Sequence, residues 1–203
     1  MSTVQCYQYA LGPMDNLCYL LESEGDIFAV DPAWDPAYLS NEIRRLNGQL
    51  KGVLLTHGHH DHTNGVAALQ SEFTVPVYVS HQELPQLLDS ISTPVLFFNE
   101  ASLVIGQHPI EVIPTPGHSP GCVCFRIGNI LISGDTLFID GCGRADLKGS
   151  DPEALYESLD VLKKLPDEIV IYPGHDYGGS QTDTLKNQKK SNPYLTAESK
   201  KYF

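Results

Sequence analysis

Short apolar runs and amphipathic stretches follow one another along the chain, and their order predicts an α/β fold. The first runs, VQCYQYA, LCYLLE and DIFAVD, have the composition of strands and are separated by turn residues. DPAYLSNEIRRLNG then carries Leu39, Ile43 and Leu46 at helical spacing. A second series of strand-like runs begins at GVLLTH, and DPEALYESLDVLKKL predicts a helix with Asp151 as its N-cap. Two groups of strands interleaved with helices favour layered α/β architecture over a helical bundle or a β-sandwich.

Composition narrows the class of protein. The length of 203 residues fits one domain, so we expect residues 1–203 to form a single domain. A formal net charge of −12 argues against nucleic acid or an anionic membrane as the main partner. The sequence shows neither a secretory signal nor an apolar run approaching about 18 residues, so no membrane span is expected. The five cysteines include no C-x-x-C pair, which indicates reduced thiols and a cytoplasmic protein.

The stretch THGHHDHT, residues 56–63, concentrates four of the eight histidines and one aspartate in a short turn. It places His57 at the carboxyl end of a predicted buried strand, which is the usual position of ligand sites in α/β folds. In a tight turn, the side chains at positions 57, 59, 61 and 62 can converge on one point. Imidazole binds zinc, iron and manganese, and a carboxylate suits harder ions. The turn therefore predicts a metal site.

Three later stretches offer further donors for the same kind of site. TPGHSPG holds His118 in a turn rich in proline and glycine, and LISGDT holds Asp135 just past an apolar run. VIYPGHDYG holds His175 at the end of another predicted strand. All three repeat the order of strand, small turn residues and potential ligand. Five histidines and two aspartates placed in this way predict a metal centre that could hold two ions.

The order H-x-H-x-D-H, then His, Asp and His, resembles the metallo-β-lactamase superfamily from about residue 15 to residue 195. The resemblance implies a four-layer αβ/βα sandwich. It also implies a first metal bound by His57, His59 and His118, and a second bound by Asp61, His62 and His175. Asp135 would bridge the two ions, whereas His60 falls on an unassigned position of the motif.

The residue at the bridging position narrows the branch of the superfamily. The best-known lactamases have a cysteine thiolate there, whereas this chain has Asp135, as the glyoxalase II-like branch does. This difference argues against β-lactam hydrolysis. It also leaves iron and manganese open beside zinc. The nucleases of the superfamily carry an added domain and basic surfaces, for which this chain has neither the length nor the charge.

Two reactions fit the implied ligands. In the first, metal-bound hydroxide attacks a glutathione-type thioester, as in glyoxalase II, with Asp61 and Asp135 as the catalytic carboxylates. In the second, a single Fe(II) at His57, His118 and Asp135 binds O₂ and a glutathione persulfide, as in the persulfide dioxygenases of the same superfamily. Thioester hydrolysis is the primary prediction and persulfide oxygenation the alternative. A non-catalytic metal-binding member is a third hypothesis.

Substrate contacts are predicted from the second half of the chain. GDTLFIDGCGRADLKGSDPEALYESL and IYPGHDYGG resemble the persulfide dioxygenases, whose pattern puts Arg144, Tyr177 and Cys142 near the glutathione moiety. Arg144 could instead brace the loop GCGRAD. Glyoxalase II binds glutathione with a C-terminal helical extension, but only 28 residues follow His175 here. The expected partner is a small thiol-derived molecule, and the sequence predicts neither its binding surface nor an oligomeric state.

Overall fold

The computed structural model describes residues 3–87, 91, 95–97 and 103–197. The chain divides into two compact units, an N-terminal unit of residues 1–111 and a C-terminal unit of residues 112–203. Each unit contains its own sheet and helices. No helix among these described residues is long and apolar enough to cross a membrane.

The N-terminal unit has a six-stranded sheet in the order β1-β2-β3-β4-β5-β6. The first three strands are antiparallel neighbours, and the last four run parallel to one another. A separate hairpin is formed by β7 and β8. The elements of this unit, in chain order, are β1 (Gln5–Leu11), β2 (Asn16–Ser23), β3 (Asp26–Val30), α1 (Pro36–Arg45), β4 (Gln49–Leu54), α2 (His60–Thr63), α3 (Val66–Phe73), β5 (Val77–Val79), α4 (Leu84–Leu87), β6 (Val95–Phe97), β7 (Val104–Ile105), β8 (His108–Pro109) and the first residue of β9 (Glu111–Pro114).

Aliphatic side chains fill the core of the N-terminal unit. Most residues of β3, β4 and β5 are buried, as is expected for central parallel strands. Helix α1 adds Leu39 and Ile43, two of the three residues that predicted it. Because β3 and β4 are parallel, with Val30 opposite Leu54, the residues that follow them emerge at the same edge of the sheet.

The C-terminal unit has a five-stranded sheet in the order β15-β14-β11-β10-β9. β11 pairs antiparallel with β10 and parallel with β14, with Gly134 opposite Pro173. The residues that follow these two parallel strands therefore also share one edge. The elements of this unit are the rest of β9, then β10 (Val123–Ile127), β11 (Ile130–Gly134), β12 (Leu137–Phe138), β13 (Gly141–Cys142), α5 (Pro152–Lys163), β14 (Val170–Pro173), β15 (Asp183–Thr184), α6 (Leu185–Ser191) and α7 (Pro193–Thr196).

Element boundaries differ from the predicted ones mainly at chain turns. The run GVLLTH predicts a strand to residue 57, but β4 ends at Leu54 because the chain then turns into the histidine stretch. That stretch contains the four-residue helix α2, which the spacing of apolar residues did not predict. Helix α6 begins at Leu185, because Thr184 is its N-cap and the Thr184 side chain accepts a hydrogen bond from Asn187 N. Asp151 caps α5, as predicted.

The cap of α5 supports a stability prediction. The Asp151 carboxylate accepts hydrogen bonds from Glu153 N at 2.9 Å and Ala154 N at 3.1 Å. Asp151→Ala leaves these two amides without their acceptor and is expected to lower the free energy of unfolding by about 1 kcal/mol. Denaturant titration followed by circular dichroism measures the loss. Asp151→Asn keeps a capping oxygen and should stay within about 0.5 kcal/mol of the wild type; an equal loss in both variants would contradict the cap assignment.

Candidate metal centre

The histidine stretch forms a compact turn at the carboxyl edge of the N-terminal sheet. His57 and His62 are buried, and His59 is the N-cap residue of α2. The ring centroids of His57 and His59 lie 4.7 Å apart, and those of His57 and His62 lie 4.3 Å apart. The Asp61 carboxylate oxygen Oδ2 lies 3.6 Å from His62 Nε2. The turn therefore brings together the four potential ligands that this unit was predicted to supply.

A buried carboxylate that the sequence analysis did not single out orients this turn. Asp31 follows β3 and accepts hydrogen bonds from Thr56 N at 2.8 Å and from Thr56 Oγ1 at 2.5 Å. Its Oδ2 atom also lies 3.2 Å from His62 Nδ1. Three donors thus meet on one carboxylate that is only 2% exposed. The signal was present in the run DIFAVD, whose final aspartate ends the strand beside GVLLTH.

The same contacts determine which histidine nitrogens face a ligand. Thr56 donates its hydroxyl proton to Asp31, so the hydroxyl oxygen accepts from His57 Nδ1, 3.0 Å away. His62 Nδ1 is likewise the atom that faces Asp31. Both imidazoles therefore carry the proton on Nδ1 and present the Nε2 lone pair. A second partner of this kind is how proteins usually orient histidine ligands of metals.

Asp31 could also be considered as a metal ligand itself. One oxygen of Asp31 and one nitrogen each of His57 and His62 lie within 4.8 Å of one another. However, both Asp31 oxygens already accept hydrogen bonds from Thr56, and one also faces His62. We therefore assign Asp31 to the orientation of the imidazoles.

The C-terminal unit gathers a second set of potential ligands around one carboxylate. Asp135 follows β11, and His175 follows β14, its parallel neighbour. Asp135 Oδ2 lies 3.5 Å from His118 Nε2 and 3.4 Å from His175 Nε2. All three residues are buried. Within this unit, one carboxylate oxygen is thus shared by the Nε2 atoms of two histidines.

His118 is oriented by the main chain of the loop GCGRAD. Its Nδ1 atom lies 2.8 Å from the carbonyl oxygen of Arg144, which can only accept, so Nδ1 carries the proton. The close approach of the Arg144 carbonyl oxygen to His118 requires a glycine at position 143, one residue before Arg144. A Cβ atom at Gly143 would lie 1.8 Å from the Asp135 carbonyl oxygen and 3.1 Å from His118 Nδ1. Only a residue without a side chain lets the loop pass this close to both.

Distant side chains hold the turn that leads into this loop. The buried Asn192 amide donates to the carbonyl oxygens of Phe138 at 3.1 Å and Gly141 at 3.0 Å. Gln188, from α6, accepts from Asp140 N at 2.7 Å and so holds the same turn. Asp140 has φ 58°, a left-handed conformation that few residues other than glycine adopt without support. This network could not be predicted from the sequence, because its members lie about fifty residues apart.

Tyr177 occupies an exposed position beside a potential ligand. Its ring stacks on His175 with centroids 4.7 Å apart and an angle of 12° between the planes. Phe138 contacts both rings edge-on, at 5.8 Å from His175 and 5.6 Å from Tyr177. Tyr177 is 55% exposed. Tyr177 was predicted to lie near the glutathione moiety of a substrate, and this role stays a prediction.

Arg144 pairs with an aspartate of its own loop. Its guanidinium forms two hydrogen bonds with Asp146, from Nε at 2.6 Å and from Nη2 at 2.8 Å. Both side chains are exposed, and the pairing raises the pKa of Arg144 and lowers the pKa of Asp146. The bracing role considered for Arg144 is therefore present. A substrate carboxylate would have to replace Asp146, so the predicted binding role stays a prediction.

Cys142 was predicted to lie close to the substrate. Its side chain is partly buried against the apolar core of the C-terminal unit, and burial raises its pKa to about 12. The group is therefore a neutral thiol at physiological pH. All five cysteines lie in the described residues and none forms a disulfide.

The donor chemistry fits a divalent transition metal. His57, His62 and His118 present Nε2 lone pairs because their Nδ1 atoms have protein partners. Buried imidazoles together with carboxylates are the donors that zinc, iron and manganese share. His60 is exposed and lies edge-on to Trp34, with ring centroids 6.5 Å apart. No ligand role was predicted for it.

The sequence model of the metallo-beta-lactamase superfamily matches residues 11–175. The chain belongs to the metallo-β-lactamase superfamily. The predicted metallo-β-lactamase fold is confirmed by this match and by similar solved structures. A relative from Bacillus subtilis (strain 168), the probable polyketide biosynthesis zinc-dependent hydrolase PksB, is 30% identical over 191 residues, which cover 93% of this chain and 85% of PksB.

Three solved structures of this superfamily are similar over almost the whole chain. TTHA1623 in a di-iron-bound form is 33% identical with a TM-score of 0.83, covering 93% of this chain and 100% of TTHA1623. BLEG-1, a B3 metallo-beta-lactamase, is 31% identical with a TM-score of 0.85, and the match covers 95% of this chain and 100% of BLEG-1. ETHE1 from Myxococcus xanthus is 26% identical with a TM-score of 0.83, and the match covers 98% of this chain and 88% of ETHE1. The chain is thus a metal-binding member of a hydrolase superfamily whose relatives carry different metals.

The contacts of Asp31 predict a loss of metal affinity on its removal. Asp31→Ala leaves Thr56 N and His62 Nδ1 without their common acceptor, so the imidazoles lose their fixed orientation. We expect the affinity for Zn²⁺ to fall about 10- to 100-fold, as for other partners of metal-bound histidines. Competition with a chromophoric chelator measures the change. Asp35→Asn, at an exposed helix cap of the same unit, is the matched control; an Asp31→Ala affinity equal to that of the control would contradict the assignment.

The raised pKa of Cys142 predicts low thiol reactivity. A pKa of about 12 leaves a thiolate fraction on the order of 10⁻⁴ at pH 8, far below that of an ordinary cysteine. Iodoacetamide should therefore alkylate Cys142 in the folded protein at least about 100-fold more slowly than in the denaturant-unfolded chain. Peptide mapping by mass spectrometry over time gives the rate at this position. Similar rates in the folded and unfolded protein would show that Cys142 is an accessible, reactive thiol.

Proposed function

We propose that this protein is a metal-dependent hydrolase that cleaves a glutathione-type thioester. The observation that carries the proposal is the Asp135 carboxylate, whose Oδ2 atom lies within 3.5 Å of the Nε2 atoms of His118 and His175. A carboxylate oxygen shared in this way suits a ligand that bridges two ions. The similarity to PksB, a probable zinc-dependent hydrolase, supports both the reaction class and the metal.

The proposed ligand assignment follows the superfamily pattern. His57, His59 and His118 would hold a first ion, and Asp61, His62 and His175 a second, with Asp135 between them. Support comes from each unit separately. In the N-terminal unit Thr56 and Asp31 hold the Nδ1 atoms of His57 and His62, and in the C-terminal unit the Arg144 carbonyl oxygen holds that of His118.

When bound, such ions would supply a water acidic enough to ionise near neutral pH and a Lewis acid for the substrate carbonyl. The chain's own residues then fix the geometry. Asp61, held by hydrogen bonds from Asn16, would orient the attacking oxygen. Addition of that oxygen to the thioester carbonyl and breakage of the C–S bond release a carboxylic acid and a thiol. Tyr177 offers an exposed aromatic face for the thiol-bearing group, and Arg144 a guanidinium for one of its carboxylates.

The alternative function is iron-dependent oxygenation of a glutathione persulfide. His57, His118 and Asp135 make up a two-histidine, one-carboxylate set, the ligand class of non-haem iron oxygenases. The similarity to ETHE1 and to a di-iron-bound relative supports iron-dependent oxygenation as the alternative function. O₂ would supply the oxygen atoms, which are transferred to the terminal persulfide sulfur and oxidise it. A metal-binding protein without turnover is the third possibility.

Metal quantitation on freshly purified protein, paired with three substrate assays, separates these functions. We expect two metal ions per chain and hydrolysis of an acyl-glutathione thioester. Asp61→Ala and Asp135→Ala should each lower kcat/KM by more than about 100-fold, the upper end for partners outside the metal's own ligands. Asp167→Asn is the control, because it alters an exposed carboxylate that precedes β14, at the opposite end of that strand from His175.

Each contrary result points to one alternative. One iron per chain, with O₂ consumed in the presence of glutathione persulfide and no thioester cleaved, would overturn the hydrolase in favour of the oxygenase. A β-lactam is the third substrate because BLEG-1 is a metallo-beta-lactamase, although Asp135 argues against this activity. Tight metal binding without turnover of any of the three would leave the non-catalytic member.

We further propose that the protein acts in the cytoplasm on a small thiol-derived molecule rather than on nucleic acid or a membrane. The lack of a C-x-x-C pair among the five cysteines and the net charge of −12 support this proposal.

A further inference from the structure

The single tryptophan of the chain is fixed close to the histidine turn. Trp34 has φ 64°, and its amide donates a 2.6 Å hydrogen bond to the side chain of Asn64, which follows α2. Its ring lies against Gly12, where a Cβ atom would come within 2.3 Å of ring carbons. The left-handed backbone, the amide contact and the ring packing leave the indole one position. That position determines where its N–H points.

The indole N–H sets the orientation of a buried amide. Trp34 Nε1 donates to Asn16 Oδ1 at 2.8 Å, and Asn16 is only 1% exposed. Because an indole nitrogen can only donate, the Asn16 oxygen must face Trp34 and its NH₂ group must face the other way. The amide cannot rotate by 180° without setting two donors against each other.

The NH₂ group of Asn16 is directed at Asp61. It donates to the main-chain oxygen of Asp61 at 3.1 Å and to the carboxylate oxygen Oδ2 at 3.0 Å. Both hydrogen atoms of the amide are thus used on one residue, which fixes the Asp61 backbone and its carboxylate together. The same Oδ2 atom lies 3.6 Å from His62 Nε2, so the fixed carboxylate is the one that faces a histidine ligand.

We infer that Trp34 positions the Asp61 carboxylate for metal binding through Asn16. The three residues form a relay, the Trp34–Asn16–Asp61 relay, in which Trp34 and Asn16 are positioning residues and touch no substrate. The inference rests on the proposed assignment of Asp61 to the second ion. It assigns the tryptophan a role beyond packing, namely to decide which end of the Asn16 amide meets the carboxylate.

Two variants break the relay at different points. Asn16→Leu keeps the branched shape of the side chain but removes both hydrogen bonds to Asp61, so the affinity for the second Zn²⁺ should fall about 10- to 100-fold. Trp34→Phe keeps an aromatic ring against Gly12 but removes the N–H, which frees the amide to rotate. Loss of this one hydrogen bond should lower the same affinity about 3- to 10-fold.

Tyr9→Phe is the matched control, because it removes a 3.1 Å hydrogen bond to Glu42 in the same unit that does not lead to Asp61. Stepwise Zn²⁺ binding followed by native mass spectrometry gives the two affinities, and thermal unfolding shows that each variant is folded. A merely structural hydrogen bond would lower stability and leave the second affinity unchanged.

The unique indole gives a readout that needs no turnover. In ¹H–¹⁵N spectra of the wild type, the indole signal of Trp34 should move when Zn²⁺ binds, and Asn16→Leu should abolish that movement. Second-ion affinities of Asn16→Leu and Trp34→Phe that equal the wild-type value would overturn the inference. If the wild type binds a single ion, unchanged affinity for that ion in both variants would overturn it equally. A wild type that cleaves no thioester, but in which the variants weaken metal binding as stated, contradicts the proposed function and supports the relay.

Discussion

Parallel pairing of neighbouring strands is the constraint on which both ligand sets depend. In the N-terminal unit β3 and β4 end side by side, so that Asp31 meets Thr56 directly after the last paired residues. In the C-terminal unit β11 and β14 end side by side, which puts Asp135 next to His175. Parallel strands present their carboxyl ends at one edge, and polar residues placed just beyond that edge meet without a long loop. Each unit uses the same geometry to assemble donors from distant parts of the sequence.

Parallel pairing brings the potential ligands together, and hydrogen bonds, several of them with uncharged groups, then orient these ligands. Thr56 and the Arg144 carbonyl each face the Nδ1 atom of one histidine, and Asn16 faces the Asp61 carboxylate. None of these groups would be a good metal ligand, yet each determines where a lone pair points. The orientation of the ligands is therefore a property of the fold rather than of the ligand residues.

The longer strands and the helices α1 and α5 could be predicted from the sequence. Apolar periodicity identified the strands, and the Asp151-Pro152 start identified α5, because these signals are local. The superfamily match confirmed the fold class. The ligand assignment stays a prediction, although each unit brings together the residues that it was expected to contribute.

The residues that orient the ligands could not be predicted, for a physical reason. Asp31, Asn16 and Asn192 act through contacts with residues 25 or more positions away, and nothing in their immediate sequence distinguishes them from ordinary polar residues. Arg144 shows the opposite difficulty. Its side chain attracted a functional prediction, but its observed contacts with the site are made by the carbonyl oxygen, which any residue would supply.

Asn192 shows that a residue distant in sequence can determine the conformation of a turn next to a site. The Phe138–Gly141 turn owes its conformation to an amide that follows it by about fifty residues, in a segment that carries no potential ligand. A chain that kept every histidine and aspartate of the motif but ended before Asn192 would still match the motif while lacking the support for that turn. Comparison of motifs alone therefore overestimates how many sequences can build the same surface around the metals, and the short C-terminal helices belong in any transplant of this site to another scaffold.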